Sequence, residues 1–420
     1  MTAERDLDRQ LATWFGEQET APPADLWSRS MARIDTAAQR PAFLSHVRHA
    51  SWAPSFAGAP SLAPWLVLFV LLLSAAVVVT AGGQLVKPRV TLVSTPENVW
   101  QPSDAVAFRA RLDPSLEVPF KWRAGAYAVY TGDGWEWGEV ARQPIPAHQA
   151  FDVLSPAGDA PTTDARLRIQ YSITPDAFVD GTILGPNMIE LVDRPTDAIS
   201  VGADRWYASI ESREDPGPYT VSALVPNIGG IDGLDEGLLR TAGTAYSPAM
   251  LETYTALPDA AMGPFADALL ARIRSEVSVP DGADPNNAYD LVRTMQDHLR
   301  DEDNFSYTED VRELRRTQCQ DVSTVECFAR IRQGYCEFYA STMAVLLRSA
   351  GIPARIAYGF LPGERGANGV EVVGAWLAHW WVEVYFPDVG WIEFDPTGGG
   401  VGRPLPLEPA VDAPSAPAEG

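Results

Sequence analysis

The stretch from residue 334 to residue 396 constrains the fold more than any other part of this 420-residue chain. It opens with Cys336 ahead of an apolar-periodic segment. Gly351 and Pro353 end that segment, as a glycine and a following proline often end helices. Cys336 is therefore predicted to lie at or just before the first turn of a helix. There the free N–H groups and the positive end of the helix dipole favour the thiolate over the thiol.

The rest of this stretch alternates between apolar strands and turns. The predicted segments are a strand at 356–360, a Gly-rich loop at 362–374, an aromatic strand at 378–386, a turn at 387–390 and a last strand at 391–396. His379 lies on the aromatic strand and Asp395 lies at the end of the last one. This chain order suits a thiol nucleophile, because a base must reach the sulfur and an acid must orient the base.

The turn between the last two strands poses a geometric problem. Closing a tight hairpin over 387–390 places Asp395 opposite Val382 or Glu383. At about 3.3 Å per residue, Asp395 then lies roughly 10 Å or more from His379. A bulge, a longer loop or uneven pairing is needed to bring the two side chains together.

The motifs GYCEFYAS, LRSAGIPARIAYGF and AHWWVEVYFPDVGWIEFDPT together resemble the core of the transglutaminase-like superfamily, in particular its bacterial membrane-anchored branch. The family's papain-like triad corresponds here to Cys336, His379 and Asp395. The resemblance extends upstream to about residue 87 and so covers about three quarters of the chain. The chain departs from the family at Trp380, where a small residue usually follows the histidine, and this departure bears on the substrate of the acyl site.

The resemblance implies an α+β catalytic domain, in which a cysteine-bearing helix packs on an antiparallel sheet bearing the histidine and the aspartate. It also implies acyl transfer through a cysteine thioester, with a protein or peptide as substrate and an amine or water as acceptor. Trp381, Trp380 and Tyr335 are predicted to line the substrate site, and core packing is the alternative for Trp381. Neither a cofactor nor a metal ion is expected.

Two other functions are compatible with the same residues. A cysteine peptidase that acts on cell-wall peptide or protein uses the same three side chains. A catalytically silent binding module keeps the fold and retains the triad as a relic.

The apolar run at 62–83 is predicted to form one transmembrane helix. No charged residue falls between Arg48 and Lys87, and about twenty apolar residues span a hydrocarbon core of about 30 Å. A cleaved signal peptide is disfavoured because the run begins so far into the chain. The flanking charges do not decide the orientation. The family resemblance implies a cytoplasmic segment at 1–60 and an extracytoplasmic C-terminal part.

The remaining chain divides by pattern into an antiparallel β-rich domain at 88–226, a connector at 227–262, the catalytic domain at 263–400 and a Pro/Ala-rich tail at 401–420 that is predicted to be disordered. In the β-rich domain, Leu167 begins an alternating strand face. One helix is predicted to start at Pro264 with Phe265 on its apolar face. A second is predicted to start at an Asp284 N-cap, with His298 on the surface.

Composition narrows the partners and the cysteine chemistry. The net charge of −23 disfavours binding to nucleic acid. The three cysteines form no CxxC pair, and no histidine lies near them at metal-ligand spacing, so a zinc site is not predicted. In an extracytoplasmic domain, Cys319 and Cys327 can form a disulfide and leave Cys336 free. Three unpaired thiols are the alternative.

Overall fold

The computed structural model describes residues 103–113, 120–151, 165–201, 207–228 and 233–407. The predicted cytoplasmic segment at 1–60, the predicted transmembrane helix at 62–83 and residues 408–420 of the predicted tail lie outside these ranges. None of the helices within the described ranges combines the length and the hydropathy that a membrane span requires.

The described ranges contain strands and helices in the following order. The strands are β1 (Val106–Arg111), β2 (Trp122–Tyr127), β3 (Val129–Tyr130), β4 (Trp135–Glu136), β5 (Val140–Ile145), β6 (Arg166–Pro175), β7 (Met188–Val192), β8 (Thr196–Val201), β9 (Tyr207–Ser212), β10 (Tyr219–Pro226), β11 (Ser306–Tyr307), β12 (Gln333–Gly334), β13 (Ala354–Phe360), β14 (Glu364–Arg365), β15 (Val370–Gly374), β16 (Ala378–Phe386) and β17 (Gly390–Phe394). The helices are α1 (Glu236–Thr241), α2 (Pro248–Tyr254), α3 (Pro264–Glu276), α4 (Ala288–Arg300), α5 (Arg312–Gln318), α6 (Thr324–Ile331) and α7 (Cys336–Ser349), with a 3-10 turn at Ala375–Leu377.

Two antiparallel sheets organise the fold, and each contains strands from both parts of the chain. One has the strand order β17-β16-β13-β2-β9-β8-β5, and the other has the order β14-β15-β1-β6-β10-β7. The predicted boundary between a β-rich domain at 88–226 and a catalytic domain at 263–400 therefore does not separate the sheets. Because β13 pairs with β16 on one side and β2 on the other, the two regions fold together.

Aromatic side chains fill the space between the two sheets. The Phe108 ring of β1 meets the rings of Trp122 and Phe360 edge-on, at centroid distances of 5.7 and 5.4 Å. Tyr171 of β6 meets Trp122 at 5.2 Å. Edge-to-face contacts of this kind add to the stabilisation that burial alone provides.

Helix α7 is buried on all sides and packs against β13 and β16. All its residues from Cys336 to Arg348 are buried, as expected of a helix at the centre of a domain. The buried Arg348 guanidinium donates to the carbonyls of Ala354 (2.8 Å), Ala256 (3.0 Å) and Ala128 (2.6 Å). These bonds tie the end of α7 to the start of β13 and to two segments that are distant in the sequence.

Two segments that were predicted to lack regular packing belong to the fold. The predicted loop at 362–374 contains the hairpin β14–β15, and β15 extends the second sheet by pairing with β1. Residues 401–407 were assigned to a disordered tail, but Leu405 and Leu407 are buried. The Glu236 N–H donates to the Leu407 carbonyl at 3.3 Å. The prediction of disorder is wrong for these seven residues, because their Pro-rich composition conceals two leucines that pack into the core.

The start of α4 differs from the prediction. Its N-cap is Asn287, whose side chain accepts from the Asp290 N–H at 3.0 Å. The predicted N-cap, Asp284, instead accepts from the Asn286 N–H at 2.8 Å and forms a turn before the helix.

Single side chains also differ in burial from what periodicity predicts. Phe265 is 47% exposed and Leu167 is 40% exposed, although both were assigned to apolar faces. The Phe265 ring lies under the Arg330 guanidinium, at 5.5 Å. Conversely, His298 is buried rather than on the surface, and its Nδ1 lies 2.7 Å from a carboxylate oxygen of Glu276.

Cys319 and Cys327 form a disulfide that links the end of α5 to α6. We predict that replacing both cysteines by serine lowers the free energy of unfolding by about 2–3 kcal/mol, because the bond restricts the unfolded chain. Guanidinium unfolding of the full chain, followed by tryptophan fluorescence, measures the change. Gln320→Ser, an exposed substitution in the same loop, is the control. A double variant as stable as this control would contradict the prediction.

Candidate active site

Cys336 is the first residue of α7, and the two residues before it set its position. Tyr335 caps the helix in an extended conformation and makes no side-chain bond to the first turn. A Cβ at Gly334 would lie 2.9 Å from Cβ of Phe338 and 3.0 Å from the Phe328 ring, so the chain needs glycine here. The prediction that the cysteine begins a helix is confirmed.

The thiol of Cys336 is enclosed. The residue is 1% exposed, and its sulfur lies beside the backbone N–H groups of Trp380 and Glu337. Burial raises the pKa of the thiol well above its usual range, and these N–H groups lower it only in part. The predicted preference for the thiolate is therefore wrong for this conformation, because the local pattern around a helix start does not report how far water is excluded.

His379 and Asp395 form a buried pair. The histidine Nε2 lies 3.0 and 3.1 Å from the two carboxylate oxygens, and the residues are 1% and 0% exposed. Because Nε2 faces the carboxylate, Nδ1 is the ring nitrogen left for the thiol. Nδ1 is also the nitrogen nearer to the histidine's own backbone. The N–H of Trp380 belongs to the peptide bond that follows His379, so the sulfur of Cys336 lies beside that peptide.

A regular β16–β17 ladder followed by a turn brings His379 and Asp395 together, so the predicted position of Asp395 opposite Val382 or Glu383 is wrong. The last pair of the β16–β17 ladder joins Val382 to Phe394. Asp395 then leaves the ladder, and its backbone N–H donates to the Gln296 side chain of α4 at 2.9 Å. The chain thus turns at the end of β17, which removes the separation that an ideal hairpin imposes.

The Asp395 carboxylate has donors on several sides. It accepts from the N–H of Thr397 at 3.2 Å and from the N–H of Arg403 at 2.7 Å, and the Lys121 ammonium lies 3.9 Å away. Burial opposes its charge, but His379, Lys121 and the Arg403 N–H together lower the pKa of Asp395 well below its usual range. The carboxylate is therefore ionised at neutral pH.

The glycine run after Asp395 allows the chain to return to the carboxylate. A Cβ at Gly402 would lie 2.4 Å from the Thr397 carbonyl oxygen, 2.5 Å from the Arg300 guanidinium and 2.9 Å from the Asp395 carboxylate. A glycine run directly behind an acidic strand end is a signal that points to such a close approach.

Sequence reasoning missed three residues that hold Asp395. Arg403 was assigned to the predicted tail, so its N–H was not considered. Gln296 and Lys121 carry no motif and lie 99 and 274 positions from Asp395 in the chain. Only the tertiary fold brings Gln296 to the Asp395 backbone N–H and Lys121 to its carboxylate.

The three predicted substrate-binding aromatic residues are packed in the protein interior. Trp380 stacks on Tyr127 and lies at 5.4 Å from Tyr358. Trp381 is 0% exposed. Tyr335 meets the ring of Phe338 edge-on at 4.9 Å. A substrate role for any of them remains a prediction, because this closed conformation exposes none of the three.

Comparisons with known proteins agree with the arrangement of the three motifs. Residues 279–396 match the model of the transglutaminase-like superfamily. The chain is 35% identical over 190 residues to the uncharacterized protein YebA of Bacillus subtilis, a match that covers 44% of this chain and 24% of that protein. It is 46% identical over 67 residues to the protein-glutamine gamma-glutamyltransferase of Pseudomonas aeruginosa, covering 16% of this chain and 10% of that protein.

Among solved structures, the periplasmic domain of TgpA from Pseudomonas aeruginosa is similar, with a TM-score of 0.49 and 21% identity over 72% of this chain and 94% of that one. The matches with both sequence relatives cover well under two thirds of those proteins. The family match includes the helix start with Cys336 and both strands with His379 and Asp395. Residues 279–396 therefore form a domain of the transglutaminase-like superfamily.

Proposed function

We propose that this chain is a thiol acyltransferase or hydrolase in which Cys336 is the nucleophile, His379 the base and Asp395 the orienting acid. The contact of His379 Nε2 with the Asp395 carboxylate at 3.0 Å, next to the Trp380 N–H that lies by the Cys336 sulfur, is the observation that supports this most. An ionised carboxylate holds the imidazole in the tautomer that leaves Nδ1 free to accept a proton.

In the first step, His379 Nδ1 takes the thiol proton while the sulfur attacks the carbonyl carbon of an amide. We assign the N–H groups of Glu337 and Trp380, which lie beside the sulfur, as donors to the resulting oxyanion. His379 then gives the proton to the leaving nitrogen. Ammonia leaves from a glutamine side chain, or an amine leaves from a peptide bond, and a thioester to Cys336 remains.

In the second step, an amine or water attacks the thioester and His379 takes its proton. An amine forms a new amide, and water forms a carboxylate, with the thiol regenerated in both cases. We assign the glutamine side chain of a protein as the preferred acyl donor. The glutamyltransferase named among the relatives supports this choice, because its 67 matched residues are 46% identical. Cleavage of peptide bonds is the alternative within the same chemistry.

A silent binding module is a second candidate, and the enclosure of the site favours it. Cys336 and His379 are both 1% exposed, so a substrate reaches them only if the surrounding chain moves. The raised pKa of the Cys336 thiol also disfavours a resting thiolate. An enzyme must open this site, whereas a binding module need not.

We further propose that the domain is extracytoplasmic and anchored by the predicted helix at 62–83. The disulfide between Cys319 and Cys327 supports an oxidising compartment, because such bonds are rare where thioredoxin and glutathione keep thiols reduced.

Replacing Cys336 by alanine should abolish incorporation of an amine probe into a glutamine-containing peptide and also abolish ammonia release. The change removes only the sulfur from a buried helix start, so the near-UV circular dichroism should be retained. Ser349→Ala, at the other end of α7, is the matched control and should keep its activity. A wild-type chain inert to both amine and water would support the silent module instead.

For Asp395→Asn, kcat should fall by about 10³–10⁴-fold with little change in KM, because an amide stabilises the wrong tautomer of His379 and cannot balance its charge. Steady-state kinetics of ammonia release measure this. Asp388→Asn, in the exposed β16–β17 turn, is the control for the same chemical change. Equal activities of the two variants would remove Asp395 from the proposed triad.

A phosphatase reporter that folds only in an oxidising compartment should be active when it is fused after Gly420. With the N-terminal segment in the cytoplasm, as the family resemblance implies, a single span at 62–83 would put this end outside. A fusion of the same length to a reporter that works only in the cytoplasm is the control. Activity of the cytoplasmic fusion alone would refute the proposed orientation.

A further inference from the structure

We propose that Lys121 is a positioning residue that keeps Asp395 ionised and directed at His379. The effect of Lys121 on catalysis rests on the proposed function. The side chain lies outside residues 279–396, the part of the chain that matches the family model. The part of the chain before residue 279 would thus contribute directly to the charge and orientation of Asp395.

The Lys121 ammonium is buried among acceptors. The residue is 2% exposed, and Nζ donates to Glu393 at 2.9 Å and to the Arg403 carbonyl at 2.7 Å. Nζ also lies 3.9 Å from the Asp395 carboxylate. Lys121 immediately precedes β2, whose pairing with β13 fixes its backbone. A buried ammonium that retains its charge needs such partners.

Two connections join Lys121 to Asp395. The first is the direct Coulomb attraction across 3.9 Å. The second runs through Arg403, whose carbonyl accepts from Lys121 and whose N–H donates to Asp395 at 2.7 Å. Lys121 therefore holds the segment that orients the carboxylate as well as balancing its charge.

The other charged groups near Asp395 do not replace Lys121. The Arg300 guanidinium donates to the backbone carbonyl of Asp395 at 3.1 Å, and the Arg403 guanidinium donates to backbone carbonyls of its own loop. Burial raises the pKa of Glu393, which Lys121 lowers and Asp395 raises, with a smaller raising effect from Glu383. The charge of Lys121 thus acts on both the Asp395 and the Glu393 carboxylates.

On the side of the thiol, two carboxylates act on the sulfur. Glu337 and Asp395 raise the pKa of Cys336 beyond the effect of burial. Tyr307 lies near the sulfur, and burial followed by the charge of Cys336 raises the pKa of its phenol. Removing the positive charge of Lys121 should raise the pKa values of the ionisable groups from Cys336 to Asp395.

The first test uses stability and does not depend on activity. An aspartate whose pKa is lower in the folded than in the unfolded chain stabilises the fold above its unfolded pKa, about pH 4. This effect is lost as the pH falls toward the folded pKa. Without Lys121, the folded pKa of Glu393, which burial already raises, moves higher still, so the loss of stability in Lys121→Met should grow as the pH rises from about 4 to about 7. The folded pKa of Asp395 also rises, and because it starts well below its unfolded value, its part of the loss develops below about pH 4.

The control for buried positive charge is Arg166→Met. Arg166 is buried and its guanidinium donates to the Val389 carbonyl at 3.0 Å, a neutral group remote from Asp395 in the sheet. Its loss of stability should stay constant over the same pH range. Urea unfolding of the full chain at each pH gives both curves. A pH-independent loss in Lys121→Met would overturn the proposal.

The second test uses the pH dependence of kcat/KM. In Lys121→Met the acid limb of the pH profile of kcat/KM should move to higher pH by about one unit, and kcat should fall about tenfold. In Glu393→Gln the acid limb should move to lower pH, because a negative charge is removed. Lys121→Arg should restore the wild-type limb, and Arg166→Met should not move it.

These opposite shifts separate charge from packing, since lost packing has no reason to move the two limbs in opposite directions. Equal shifts in one direction, or no shift in either variant, would overturn the proposal. An inactive wild type would instead contradict the proposed function. The unfolding curves, extended below pH 4, would then still decide whether Lys121 stabilises the ionised carboxylates of Asp395 and Glu393.

Discussion

The buried carboxylate of Asp395 is the constraint on which the rest of the site depends. An ionised group that is 0% exposed is very costly unless hydrogen bonds and opposite charge compensate for its lost hydration. The protein supplies the His379 ring, two backbone N–H groups and a nearby ammonium. These donors come from β16, from the residue before β2 and from the chain after β17, so these parts of the fold must be in place before the carboxylate is stable.

This requirement explains why the regions 88–226 and 263–400 do not form separate domains. Lys121, just before β2, lies near the carboxylate, and Gln296 of α4 accepts from the Asp395 backbone N–H. The chain after β17 returns through Gly402 with Arg403. The central helix α7 places Cys336 against the same end of β16. Catalytic chemistry and folding stability therefore share the same contacts.

Much of this arrangement could be predicted because its signals are local. The glycine and proline after α7 mark the end of the helix, and alternation marks β16 and β17. The family motifs identify Cys336, His379 and Asp395 as the residues to examine. The geometry that joins His379 to Asp395 was not predictable, because it depends on where β17 stops pairing and on a glutamine from another helix.

The features that could not be predicted depend on contacts between residues far apart in the sequence and on the exclusion of water. Lys121 has no motif, and its role appears only when β2 pairs with β13. The helix start suggested a reactive thiolate, yet burial raises the pKa of Cys336. Aromatic residues near the histidine suggested a substrate surface, yet Trp381 is 0% exposed in this closed conformation. Amino-acid composition does not distinguish a solvent-accessible position from a buried one.

Trapping the thioester tests the central claim most directly. The full chain is mixed with a glutamine-containing peptide in the absence of amine, quenched in acid within the first turnover, and mapped by mass spectrometry. The account predicts an adduct on Cys336 equal to the peptide less one ammonia, which is absent when His379 is replaced by glutamine. An adduct on another residue, or product formation without any adduct on Cys336, would contradict the account.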